Sequence, residues 1–177
     1  MLEIDVALDE DYDEESGKFV STKSFRVRLE HSLVSLSKWE SLWEVPFLGK
    51  EEKTHEQTLS YIDAMILNED LPPGVFQKLI EKHAGQINDY IIAKHTATTV
   101  PTIPGAVENR EVTTAELIYY WMINLNIPVE FEHWHLNRLL MLIRVVNFKN
   151  DPKKAPMSAK DRRALNRARR KKLNSKG

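Results

Sequence analysis

Two histidines flanking a tryptophan, His133-Trp134-His135, with Glu130 and Glu132 just before them, are the residues whose types most readily suggest chemistry. Imidazoles and carboxylates together can hold a transition metal. Ligand pairs on one face of a helix need a spacing of three or four, however, and residues two apart point in different directions. A contact between helices or subunits is therefore the favoured reading. His31, His55, His83 and His95 are scattered without a partner pattern. A catalytic triad can assemble from distant residues, so spacing alone does not dispose of one. No nucleophile elbow, Walker A loop, dinucleotide fingerprint or H-E-x-x-H motif is present. Asp9, Asp11 and Asp13 alternate like part of a calcium loop, but its glycine and terminal glutamate are not at the required spacing. A solvated acidic turn over Asp9–Glu15 is expected instead. The chain has no cysteine, which excludes disulfides, thiolate metal sites and a cysteine nucleophile. The expectation is a protein that is not an enzyme and needs no cofactor or metal.

Binding chemistry is better represented. Trp39, Trp43, Trp121 and Trp134 could anchor a partner, because tryptophan is favoured at interface centres. Each also sits at helical spacing among leucines, where core packing accounts for it. Arg138 lies beside Trp134. The C-terminal end is basic: from Lys153 onward eleven Lys and Arg face only Asp161, a charge of +10. The net charge of the chain is −1, so the first 152 residues carry −11. Arg162, Arg163, Arg167, Arg169 and Arg170 dominate the tail. Docking on an acidic protein surface, including self-association through the acidic body of a second copy, ranks first. An inert solvated terminus ranks second. Nucleic acid is less favoured, because an acidic body repels phosphate and the tail lacks interleaved aromatics for stacking on bases.

The elements that must position these residues follow from periodicity. Leu2, Ile4, Val6 and Leu8 alternate, as do Phe25, Val27 and Leu29, which predicts an N-terminal β-hairpin within residues 1–31. From Ser32 the period lengthens. Leu33, Leu36, Trp39 and Trp43 mark a helix ending before Pro46. Thr54-His55-Glu56-Gln57 fits a capping box ahead of Leu59, Ile62 and Met65. After Pro72-Pro73-Gly74 a helix begins near Val75, with a break expected at Gly85. Residues 95–112 read as a long loop. Thr113-Thr114-Ala115-Glu116 suggests a second capping box and an apolar helix through Trp121. A last helix after Pro128 would carry Trp134, Leu139, Leu140, Ile143 and Val146 on one face, and this pair of helices is the expected core. Residues 151–177 form a linker and a basic helix capped near Ser158. The fold class is thus mainly α: an acidic helical domain, 1–150, with a short N-terminal β-hairpin and a basic C-terminal helical tail, 151–177. The N-terminus has neither a basic start nor an apolar signal core. The most apolar run, Leu139–Val146, is eight residues long and contains Arg144. A membrane span needs about 20 apolar residues. No membrane contact is expected, and the cytoplasm is the default location.

Three stretches together resemble a family. They are Leu29-Glu30-His31-Ser32-Leu33-Val34-Ser35-Leu36-Ser37-Lys38-Trp39-Glu40, then Glu116-Leu117-Ile118-Tyr119-Tyr120-Trp121-Met122, then His133-Trp134-His135-Leu136-Asn137-Arg138-Leu139-Leu140. The chain resembles small proteins of long-tailed bacteriophages, most nearly the tail assembly chaperones encoded beside the tape-measure gene. That resemblance runs from about residue 25 to 172, and implies a non-enzymatic role in the host cytoplasm. Such chaperones bind the tape-measure protein, recruit tail-tube subunits around it and usually leave the finished particle. The N-terminal hairpin would equally suit a structural tail or connector protein that stays in the virion. A nucleic-acid-binding regulator using the basic tail is the alternative from another class.

Overall fold

A computed structural model describes residues 1–13, 17–100 and 111–150, together with residues 163 and 167. Strand β1, Leu2–Asp13, pairs antiparallel with β2, Lys18–Leu29, in register Leu2↔Leu29, Ile4↔Val27 and Val6↔Phe25. Their inward residues Ile4, Val6, Val27 and Leu29 are buried. The expected acidic turn is a strand instead as far as Asp13. The register sets Asp9 opposite Lys23, and opposite charges across a ladder are compatible with pairing. The register shifts between Ala7 and Glu10. Beside that irregularity, the Lys78 ammonium donates to the Leu8 carbonyl.

The other edge of β2 is closed by a short segment after the second helix. The Glu30 amide donates to the Met65 carbonyl at 2.9 Å and the Leu67 amide to the Arg28 carbonyl at 2.9 Å. The Asn68 carboxamide continues the ladder as a backbone unit would. It accepts from the Arg28 amide at 2.8 Å and donates to the Arg26 carbonyl at 3.1 Å.

Five α-helices follow the hairpin among the described residues, and the mainly α expectation holds. Helix α1, Leu33–Trp43, starts at a capping box in which Ser32 and Ser35 satisfy each other's amides. Helix α2, His55–Met65, starts at the expected box of Thr54 and Gln57. Helix α3, Val75–Ile92, runs through Gly85 without a break. A single glycine costs only about 1 kcal/mol in a helix, less than the apolar face of α3 recovers by burying Val75, Leu79, Ile87 and Tyr90. Helix α4, Ala115–Asn124, is capped by Thr114, one residue later than the spacing suggested, with Leu117 as donor.

The last helix differs most from expectation. Pro128 is followed by a 3₁₀ turn, Val129–His133, and α5, Leu136–Asn150, begins only after Trp134. Trp134 is extended, its amide donating to the Phe131 carbonyl at 3.0 Å, so it is not on the helix face. An isolated bridge between Ser32 and His135 pins this point to the start of α1. The core is also broader than α4 and α5. Leu33, Leu36 and Trp39 of α1 are buried in one cluster with residues from both strands and every helix. The basic tail lies outside the described residues except for Arg163 and Arg167, which are helical and exposed. No helix among the described residues is long and apolar enough to cross a membrane.

Candidate functional site

The four tryptophans have different surroundings. Trp39 is 1% exposed, and its indole donates to the Gln57 carbonyl at 2.8 Å. Trp43 is half-buried and donates to the Ser60 hydroxyl at 3.0 Å. Phe47 stands edge-on to Trp39 at 5.1 Å and stacks on Tyr61 at 3.9 Å. These rings fasten α1 to α2, so Trp39 is a core residue. Trp121 is half-buried on α4, between exposed Tyr120 and buried Met122.

Trp134 is as half-buried as Trp43 and Trp121, but unlike them it is not among the side chains packed against the core cluster. It stacks on Phe131 at 4.0 Å with the planes 16° apart, and the exposed Arg138 guanidinium covers it at 3.9 Å. The 3₁₀ turn supplies Phe131, the extended residue supplies Trp134, and the first turn of α5 supplies Arg138. Beyond this stack, Val129 is exposed, as are Tyr120 and Ile123 on the outer side of α4, Ile123 at 70%. The Tyr119 hydroxyl donates to Glu132 at 2.7 Å and fastens α4 to the turn. Burial, then the Glu132 carboxylate, raises the Tyr119 pKa above the usual phenol range.

A second assembly was invisible in the sequence. His31, His95 and His135, from three separate segments, meet at the junction of β2, α1, α3 and α5. The ring centroids of His31 and His135 are 5.0 Å apart, and those of His95 and His135 4.0 Å. His31 and His135 are buried, while His95 is exposed with φ +47°. His31 Nδ1 lies 2.5 Å from the Tyr61 hydroxyl. His135 Nε2 lies 3.1 Å from the Tyr90 carbonyl, while its Nδ1 faces the Asn137 amide at 3.3 Å. An amide can only donate and a carbonyl only accept, so neutral His135 carries its proton on Nε2. Burial, with His135 and His95 adding to it, depresses the His31 pKa to about 3. Burial also lowers that of His135, against the opposing pull of the Tyr90 carbonyl.

Two buried carboxylates hold this framework. Glu30 accepts from the Tyr90 hydroxyl at 2.6 Å and pairs with the Met1 ammonium at 2.7 Å. Glu40 accepts from the Phe47 amide at 2.8 Å and from the Ala115 amide at 2.7 Å, at the start of α4. A carboxylate there also meets the positive end of the helix dipole. A surface cleft of about 560 Å³ opens beside Met1, Glu30, Lys38 and His133. His133 itself is exposed and lies 3.5 Å from Glu132, apart from the histidine cluster. No group of three His, Cys, Asp or Glu among the described residues has the geometry to hold a metal ion. Both nitrogens of His135 are already committed, to Tyr90 and Asn137.

No family model, curated protein or solved structure matches the chain.

Proposed function

We propose that the chain is a non-enzymatic tail morphogenesis factor of a long-tailed bacteriophage, binding tape-measure and tail-tube proteins during tail assembly. The observation that carries a protein-binding reading is the stack of Phe131, Trp134 and Arg138, with Val129 exposed in the same turn and Tyr120 and Ile123 exposed on α4. Rigid aromatics and arginine are the residue types that dominate binding energy at protein interfaces. Large apolar side chains left on a surface call for a partner more than scattered single ones do. The specific clients come from the sequence resemblance alone. The acidic body and basic tail add the means to steer an oppositely charged partner.

A tagged pull-down from producing cells, with mass spectrometry and an absorbance ratio at 260 and 280 nm, tests this reading. Recovery of tape-measure or tail-tube protein, with the bait missing from finished particles, supports it. Bait retained in particles would identify a structural tail or connector protein. A nucleic-acid absorbance lost with salt, and no protein partner, would refer function to the basic tail. Trp134→Ala removes the centre of the stack. With the ring half-exposed, the melting temperature should move by only a few degrees while client capture falls at least tenfold. Unchanged capture would remove the stack from the binding surface.

A further inference from the structure

The histidine cluster is more than core filling, because His31 and His135 take part in the polar contacts by which the start of α5 is docked. The Leu136 amide donates to the His31 carbonyl at 2.7 Å. His135 meets the Tyr90 carbonyl, and the Asn137 carboxamide donates to the carbonyls of Ile91 at 3.0 Å and Ala93 at 2.9 Å. His135 also stands where a helix cap stands: its Nδ1 accepts from the Asn137 amide in the first turn of α5. We propose that His31, His95 and His135 form an acid-sensitive latch, in which proton binding to the cluster frees α5 from the body while the hairpin, α1 and α2 stay folded.

Geometry supplies the reason. A protonated imidazole has two donors and no acceptor. Protonated His135 therefore turns an N–H toward the Asn137 amide, and the cap becomes a clash of donors. The new charge also lies at the positive end of the α5 dipole. A second proton on His31, 5.0 Å away, adds repulsion between like charges. The surroundings offer limited relief. Tyr61 faces the cluster from α2 and Tyr90 from α3, both as neutral phenols whose pKa values burial raises. Glu40 acts on Tyr61 from α1. Glu30, at the end of β2, favours a charged His135, but the Met1 ammonium opposes it. Solvent reaches the cluster at exposed His95.

The sign follows from the shifts at His31 and His135. Both are lowered below the ordinary 6.5, so the undocked form binds more protons than the docked form. Docking is fully favoured above about pH 6.5 and weakens as pH falls from there toward about 3, where His31 is protonated in place. For His31 the ceiling, set by full exposure of its ring, is about tenfold per pH unit, and the share is smaller while β2, α1 and Tyr61 of α2 stay folded around it.

Hydrogen exchange of the full chain at pH 7.0 and 5.0, corrected for the intrinsic pH dependence of exchange, tests the latch. The amides of residues 138–143 should lose at least tenfold protection at pH 5.0, with those of residues 4–6 and 34–39 retaining theirs. Equal α5 protection at both pH values, or loss in all segments together, would overturn the proposal. His135→Asn supplies a helix cap that does not titrate. It should lessen the loss of α5 protection at pH 5.0, leaving only the share that His31 contributes, and a loss as large as in the wild type would also overturn the latch. Should that variant fail to fold, NMR titration of the wild-type imidazoles decides. The His135 midpoint must coincide with the loss of α5 protection, and a separate midpoint refutes the coupling.

Discussion

Replacing Glu40 with alanine should lower stability by about 3 kcal/mol. Glu40 is 7% exposed, and its carboxylate accepts from two amides, Phe47 at 2.8 Å and Ala115 at 2.7 Å. Hydrogen bonds to a charged group contribute roughly 1.5–3 kcal/mol each, and a carboxylate at a helix start adds about 0.3–1 kcal/mol. Relief of the cost of burying the charge offsets part of that sum, which brings it down to about 3 kcal/mol. For a chain of this size that is a fall of roughly 6–12 °C in melting temperature. Thermal unfolding followed by far-ultraviolet circular dichroism measures it. Glu40→Gln keeps one oxygen acceptor but turns an N–H toward the second amide, so it should lose a comparable or slightly smaller amount. Glu40→Ala within about 0.5 kcal/mol of wild type would refute the assignment of this carboxylate as the link between α1, the 44–49 turn and α4.

Two further substitutions address the backbone. Gly85→Ala should stabilise by about 0.5–1 kcal/mol in chemical denaturation, because the site is helical and nothing lies within 4 Å of an added Cβ. Gly74→Ala should destabilise by about 1 kcal/mol, since φ is +80° despite equally open space. Asn68→Ala removes both side-chain bonds that close the β2 edge and should cost roughly 1–2 kcal/mol, read as a lower denaturant midpoint with unchanged slope.

Much of the fold was legible in the chain. Period-two alternation placed the inner half of the hairpin, and the capping chemistry of Thr54 and Gln57 placed the start of α2 to the residue. These signals are local, because a strand face and a helix cap are each made by residues a few positions apart. The extension of β1 to Asp13 was not legible, since the apolar alternation stops at Leu8 and pairing with β2 is not a local property of the strand. Nor was continuity through Gly85, where burial of the α3 face outweighs a weak local preference. The distinction among the tryptophans was also hidden. Periodicity grouped Trp134 with the α5 core face, but Pro128 and the 3₁₀ turn shift where that helix begins.

Sequence by itself determined the mainly helical class, the charge division between body and tail, and the residue types available for binding. Tertiary structure alone decided that Trp39 is internal while Trp134 lies in a stack under Arg138. It alone brought His31, His95 and His135 into ring contact, across separations that no periodic pattern spans. The physical reason is that propensity and periodicity act over a turn or two of chain. Proton affinity and ring contact instead depend on what burial places within about 5 Å.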